Sequence, residues 1–440
     1  MSRERVKIAV IGGGSSYTPE LVEGLIRRFE ELPVRELHLV DIEAGRRKLE
    51  VVGALAKRMI ERAGVPIQVH LTFNREEAIV GADYVITQLR VGLLDARARD
   101  ERIPLRYGRI GQETTGAGGF AKALRTIPVI LEICRDIERL APNAFLINFT
   151  NPAGIITEAA LKHSSVRTIG LCNLPIGTKM QMAALAEVGV DEIDIENVGL
   201  NHLNWTTRIQ VQGKDVTEEI LQQVSGLQGF SMKNIPDFGW DGEFLHSVGA
   251  LPCSYLRYYY MEDEMLEEEE EAAGTVGTRA EVVKQVEQEL FALYEDESLN
   301  EKPSQLEKRG GAFYSEAALN LITSIYNNHQ DLQIVNVRNG SILPFLDENV
   351  VIETKCVIDA DGAHPIALSQ RVPPHLRGLI EIVKAYEELT VEAAVHGDYE
   401  VALQALTIHP LVRSAKVAKL ILDDILKENA AFLPQFSSKR

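Results

Sequence analysis

The sequence predicts an α/β protein in two parts: a doubly wound parallel sheet over residues 1–195, then a mixed α+β part over 196–440. Three observations predict it. The apolar run "VKIAVI" enters three glycines and then a helical pattern of Leu21, Val22, Leu25, Ile26 and Phe29. Apolar strand candidates then alternate with helix candidates to about residue 195. Beyond that point the alternation stops. Strand alternating with helix gives a parallel sheet covered on both faces, and strands buried on both faces read as unbroken apolar runs.

After the first strand, "ELHLVDI" (36–42) is a second one that carries Asp41 at its end. "RRKLEVVGALAKRMIERAG" (46–64) has helical periodicity and closes on Gly64, the usual residue just past a helix end. "IQVHLTF" (67–73), "ADYVITQL" (82–89), "AFLINFT" (144–150) and "VRTIGLC" (166–172) continue the strand series. "EIDIENVGLNHLNWTTRIQVQGKDVT" (192–217) suggests antiparallel strands, and helical stretches follow at 216–225, 278–295, 315–328, 375–396 and 410–428. The acidic run 261–277 is expected to be a solvated helix end or a mobile loop.

Composition narrows the function. Hydrophobic residues make up 45% and charged residues 25%, the balance of a globular chain. A net charge of −18 argues against nucleic-acid and anionic-membrane partners, while leaving room for a local basic pocket. The charged start at 1–6 and the lack of a long apolar run predict no signal peptide and no membrane span. Cys134, Cys172, Cys253 and Cys356 lie far apart and form no C-x-x-C pair, so a reduced, cytoplasmic setting is expected.

The turn "IGGGSSY" lies between strand and helix, where glycines admit a pyrophosphate and the helix start offers N–H groups and a positive dipole end. This reads as a Rossmann-type dinucleotide site made by Gly12, Gly13, Gly14, Ser15 and Ser16, although Tyr17 stands where a third glycine is usual. Asp41 would hold the ribose hydroxyls and repel a 2′-phosphate, which predicts NAD rather than NADP.

Ligands of such sheets gather outside the carboxyl ends of strands. Asn148 and Asn151-Pro152 close one strand, Cys172 closes the next, and His202 follows in "GLNHLNW". From the residues alone, Cys172 is either an inert packed thiol or half of an open metal site with His202, completed by water and substrate oxygens. Arg90, Arg97, Arg99, Arg102 and Arg106 crowd one stretch. They are either an anion site or a surface helix paired with Asp95, Asp100 and Glu101. "GQETTGAGGF" (111–120) is a polar glycine-rich loop suited to lining a pocket. "PCSYLRYYY" (252–260) holds four tyrosines, most expected as aromatic packing, one able to act as a base if a metal or arginine lowers its pKa.

With these motifs in view, the whole chain resembles glycoside hydrolase family 4, the NAD- and metal-dependent glycosidases, a family the two-carboxylate rule excludes. The segment 142–172, "PNAFLINFTNPAGIITEAALKHSSVRTIGLC", carries the resemblance most specifically; "GGGSSYTPE", "GQETTGAGGF" and "GLNHLNW" support it. The resemblance implies that Cys172 and His202 hold a divalent metal, usually Mn²⁺, and that Asn151 and Arg97 contact a phosphorylated sugar. It implies a tyrosine base at Tyr255, with Tyr258 as the alternative, and a further substrate arginine at Arg279. Cys172-Asn173-Leu174-Pro175 is similar to the 6-phospho-β-glucosidase branch; the α-branch carries an aspartic acid at the second position. The general acid therefore stays open between Glu113 and a water on the metal. The implied substrate is a phosphorylated disaccharide and the implied assembly a homodimer or homotetramer. A hydroxy-acid dehydrogenase, a non-catalytic nucleotide sensor and other glycosidases of the family remain as rivals.

Overall fold

The computed structural model describes residues 6–225, 239–309 and 313–439. Residues 1–5, part of the charged start read above, lie outside the described residues. Six parallel strands form the centre: β1 (Val6–Ile11), β2 (Val34–Val40), β3 (Gln68–Thr72), β4 (Tyr84–Thr87), β5 (Phe145–Asn148) and β6 (Arg167–Gly170). Their order is β3-β2-β1-β4-β5-β6, the dinucleotide-binding order, with its switch point between β1 and β4. Alternate residues of β1 feed opposite cores. Ile8 and Val10 pack with Leu21, Leu25 and Val52 from the helices Thr18–Arg27 and Arg46–Ala63. Ala9 and Ile11 pack with Phe120 and Leu124 of the helix Gly116–Leu140. Burial on both faces is the reason these strands are apolar throughout.

The region 192–217 folds as the expected antiparallel unit. β7 (Ile193–Leu200) pairs with β8 (Leu203–Val211), which also pairs with β9 (Lys214–Asp215) and with β10 (Leu251–Pro252). His202 sits at the β7–β8 corner with φ 62°.

The first sheet does not end at β6. β11 (Asp331–Arg338), β12 (Val351–Asp359) and β13 (Gly362–Pro365) extend it, antiparallel, to nine strands, with Asn336 of β11 opposite Gly170 of β6. A division at 195/196 thus parts the chain without parting the sheet. Four of the expected helices appear as Thr217–Ser225, Arg279–Tyr294, Tyr314–Asn327 and Pro374–His396. The stretch read as 410–428 is helical only from Ala415 to Glu428. Arg413 takes a left-handed φ of 54° and the Ser414 hydroxyl caps the helix by accepting the Val417 N–H. The acidic run is a helix, Glu262–Gly274, with Met265 as its buried residue. Among the described residues no helix is long and apolar enough to cross a membrane.

Candidate active site

The glycine turn follows β1 at the switch point, against the ends of both β2 and β4. Gly12 has φ 89°, and a Cβ there would stand 2.8 Å from the Gln88 carbonyl oxygen, so both the conformation and the close approach of the β4 end require glycine. The N–H groups of Gly12 and Gly13 donate to the Val40 carbonyl, at 2.9 and 2.7 Å. Gly14 N–H donates to Asp41 Oδ2 at 3.0 Å, and Ile42 N–H to its Oδ1 at 2.8 Å. All three glycine amides are thus bonded within the protein. Those amides fasten the turn to the end of β2, and Asp41 shapes the turn as well as ending the strand.

A cavity of 540 Å³ opens beyond the carboxyl ends of β5 and β6. It gathers Tyr17, Arg97, Asn151, Cys172, His202, Tyr255 and Arg279, residues drawn from 263 positions of sequence, onto one wall system. Asn148 does not reach it. Its buried amide ties Thr150 and Thr157 in place.

Cys172 Sγ and His202 Nε2 are 3.4 Å apart and both residues are buried. Bonds of about 2.1 Å to nitrogen and about 2.3 Å to sulfur place two donors on one ion about 3.1–3.6 Å apart for angles between square and tetrahedral. The pair fits a shared divalent cation. His202 Nδ1 is buried without a hydrogen-bond partner among the described residues, and no third His, Cys, Asp or Glu donor atom joins the pair there. A two-ligand site of this kind leaves positions for substrate oxygens. Tyr255 stacks on the imidazole, with ring centroids 4.0 Å apart and planes within 4°.

Burial governs the charge states of these groups. Burial pushes the Cys172 thiol well up, with Glu353 acting in the same direction. It pushes the Tyr255 phenol up as well, and depresses the His202 imidazole to about 3. All three groups are thus neutral on their own, and a cation at the pair would favour thiolate and phenolate while using the neutral imidazole as it stands.

Two family models match the chain: family 4 glycosyl hydrolase over residues 7–188, and the family 4 glycosyl hydrolase C-terminal domain over 197–412. The chain belongs to family 4 of the glycosyl hydrolases. Among its relatives within the family, a Bacillus subtilis (strain 168) protein named "Probable 6-phospho-beta-glucosidase" is 54% identical over 99% of this chain and 98% of its own length. The Escherichia coli (strain K12) 6-phospho-beta-glucosidase is 44% identical over 99% and 97%. The solved structure of the Thermotoga maritima 6-phospho-beta glucosidase with NAD and glucose-6-phosphate superposes with a TM-score of 0.89 at 37% identity, covering 98% of this chain and 99% of that one.

In this family 4 chain the arginine-rich stretch divides between its two readings. Arg90 and Arg97 line the cavity. Arg102 pairs with Glu281 at 2.7 Å and Arg106 reaches Asp424 and Glu428, while Arg99 donates to Asn429. Asp100 pairs with Arg125, both fully buried. Arg97 is locked between Glu101 at 2.7 Å and Glu113 at 3.0 Å. Glu113 also meets Arg90 and, at 2.9 Å, Lys122. Burial works to raise the Glu113 carboxyl, yet Arg90, Arg97 and Lys122 together hold it well below the usual range. It is a fixed carboxylate with no proton to give, which removes it as a resting acid.

The four tyrosines have separate fates. Tyr255 and Tyr258 face the cavity. Tyr259 bonds Thr115 at 2.7 Å, and Tyr260 packs on Trp205, Trp240 and Phe244. Three residues escaped the sequence reading. Glu353 of β12 receives the amides of Asn201, Asn204 and Asn336 at 3.0, 2.6 and 3.1 Å, so it clamps the corner that presents His202. The flanking asparagines were visible; their partner, about 150 residues away, was not. Arg309 joins the cavity beside Tyr17 and pairs with Glu287 at 3.1 Å. Glu269 comes from the acidic run itself.

Proposed function

We propose that this protein hydrolyses 6-phospho-β-glucosides, such as phosphorylated cellobiose, with NAD and a divalent metal, Mn²⁺ by preference, as resident cofactors. One observation carries the reading: Cys172, His202 and Tyr255 converge in the cavity that also holds Arg97, Asn151 and Arg279. A further solved form of the Thermotoga maritima enzyme, with manganese, NAD+ and glucose-6-phosphate, supports it. Cys172 and His202 would hold the metal. Ser15, Ser16 and the turn Gly12–Gly13–Gly14, with Asp41, would hold NAD. A second cavity of 490 Å³ lined by Arg47, Lys48, Leu93 and Glu287 adjoins the turn through the Ser16–Glu287 contact and offers room for the rest of a dinucleotide.

NAD⁺ would supply a reversible hydride acceptor for C3 of the sugar, which would acidify C2–H, and a metal held by Cys172 and His202 would supply positive charge for the anion that forms. Tyr255, as the phenolate that a cation at the pair would favour, takes the C2 proton; stacking on His202 fixes its ring. The electron pair left at C2 expels the C1 substituent, water adds at C1, Tyr255 returns its proton to C2, and return of the hydride to C3 would restore the sugar alcohol. Arg97 orients the sugar from a position its two carboxylates prevent it from leaving. Arg279 has no anionic partner among the described residues, and burial together with Arg97 and Arg309 lowers its pKa. Arg279, the one arginine of the cavity without an ion pair among the described residues, is the place for the 6-phosphate. Asn173 beside the metal ligand fits the β-linked branch. The proposed assembly is a homodimer or homotetramer and the proposed setting the cytoplasm.

The test is turnover of 4-nitrophenyl β-glucoside 6-phosphate with and without NAD⁺ and Mn²⁺, beside the unphosphorylated analogue. Release should require both cofactors and the phosphate, and a C2 deuterium label should wash out into solvent. Full retention of the label, or NADH accumulating in step with product as in a simple dehydrogenase, overturns the reading.

A further inference from the structure

The acidic helix Glu262–Gly274 contributes one wall of the cavity through Met265, Glu268, Glu269 and Ala272. Glu269 turns inward, and its Oε2 accepts the Gly111 N–H at 2.7 Å. The next residue of that loop, Gln112, donates to the Tyr258 hydroxyl at 3.1 Å. The Tyr258 and Tyr255 rings lie 6.1 Å apart, and Tyr255 rests on His202. A continuous wall thus leads from the Cys172–His202 pair, past the proposed base, to a carboxyl at its other end.

Loss of an alcohol or sugar from C1 needs a proton, because an alkoxide is a poor leaving group. Asn173, next to Cys172, has no carboxylic proton. Four carboxyls line the cavity among the described residues: Glu101, Glu113, Glu268 and Glu269. Glu101 is bound by Arg97 and by the Ala280 N–H, each at 2.7 Å. Glu113 is held by three cations. Glu268 is exposed and stands 3.6 Å from Arg257. Glu269 alone of the four has no cationic partner among the described residues.

We propose that Glu269 is the proton donor to the leaving group, an inference that rests on the reading of the site given above. As the C2 electron pair becomes the C1–C2 double bond, the C1–O bond breaks and the Glu269 proton passes to the departing oxygen. The alcohol leaves neutral and Glu269 remains as carboxylate. When water adds at C1, that carboxylate takes the proton the water loses, and the acid is reset. The surroundings suit both states. Burial lifts the carboxyl to about 7 against the pull of the Gly111 N–H, and Glu101 on the facing helix Leu93–Leu105 and Glu268 on its own helix act in the same direction as burial. Tyr258, facing it from the helix Arg257–Tyr260, is itself pushed up to about 12 and stays neutral.

The experiment compares wild type and Glu269→Gln, each with NAD⁺ and Mn²⁺, on a 2,4-dinitrophenyl and a methyl β-glucoside 6-phosphate. The variant should lose about 100- to 10,000-fold on the methyl glycoside, the span of general-acid assistance. It should stay within about threefold of wild type on the activated substrate, which needs no proton. C2-deuterium exchange should continue at the wild-type rate, since Tyr255 is untouched; a misfolded or merely loosened site would lose exchange as well. Equal losses on both substrates, or no loss on the methyl glycoside, overturn the assignment. A wild type that turns over neither substrate marks failure of the underlying functional reading instead.

Discussion

Replacing Lys384 by Met probes how the two halves of the chain are joined. Lys384, in the helix Pro374–His396, is buried with its ammonium 2.7 Å from Glu158 and 2.5 Å from Glu387. Glu158 lies in the helix Ala153–His163 of the first half and also accepts the Val351 N–H of β12 at 2.9 Å. Without the lysine, Glu158 keeps Lys162 at 3.2 Å, whereas Glu387 is stranded. Removing one partner of a buried pair costs about 3–5 kcal/mol. For 440 residues, an unfolding entropy of about 2.1 cal/mol/K per residue converts that into a fall in Tm of about 3–5 °C. The loss must also depend on pH. Burial already lifts the Glu387 carboxyl to about 7 in the presence of Lys384, and removing the cation lifts it further. A carboxyl whose folded pKa lies above its unfolded value of about 4.3 stabilises the fold in its protonated form at low pH, and that contribution disappears as pH rises through the folded pKa. Urea unfolding at pH 5.5 and pH 8 should therefore show the larger deficit at pH 8, and Lys384→Met/Glu387→Gln should recover much of it. Equal deficits at both pH values, or a double variant no better than the single one, would refute the reasoning.

Cys172→Ser should reduce Mn²⁺-stimulated kcat/KM by more than about 100-fold, since substitutions behind a metal ligand already cost 10–100-fold; NAD binding, followed calorimetrically, should be unchanged. Undiminished metal-dependent turnover in that variant would remove the thiol from the site. Tyr255→Phe should lower turnover by about 100- to 10,000-fold and stop C2-deuterium exchange, while Tyr258→Phe retains exchange. The opposite pattern would transfer the base to Tyr258.

The parallel half of the sheet was legible because strands buried on both faces leave unbroken apolar runs, and helices such as Arg46–Ala63 leave a clean period closed by glycine at the left-handed C-cap. The strands β11 and β12 were not. Their segments "DLQIVNVR" and "VIETKCVID" mix polar and apolar residues because Asn336 and Glu353 point into a buried polar cluster, and their partners lie far away in sequence. The Cys172–His202 contact was legible only as two isolated residues at strand ends; spacing carries no information about a contact made by a corner 30 residues on. The acidic run was read as solvated. That holds for most of its glutamates, and no pattern within it marked Glu269 as turned toward the cavity.

Three strands taken from the last quarter of the chain complete a sheet begun at its start, and one of them carries the carboxylate that grips both asparagines beside His202. On the ribosome, the dinucleotide turn and the thiol therefore emerge long before the imidazole corner can be secured. Chimeras between family members must carry 331–365 together with the amino-terminal half, or the corner that presents His202 loses its anchor.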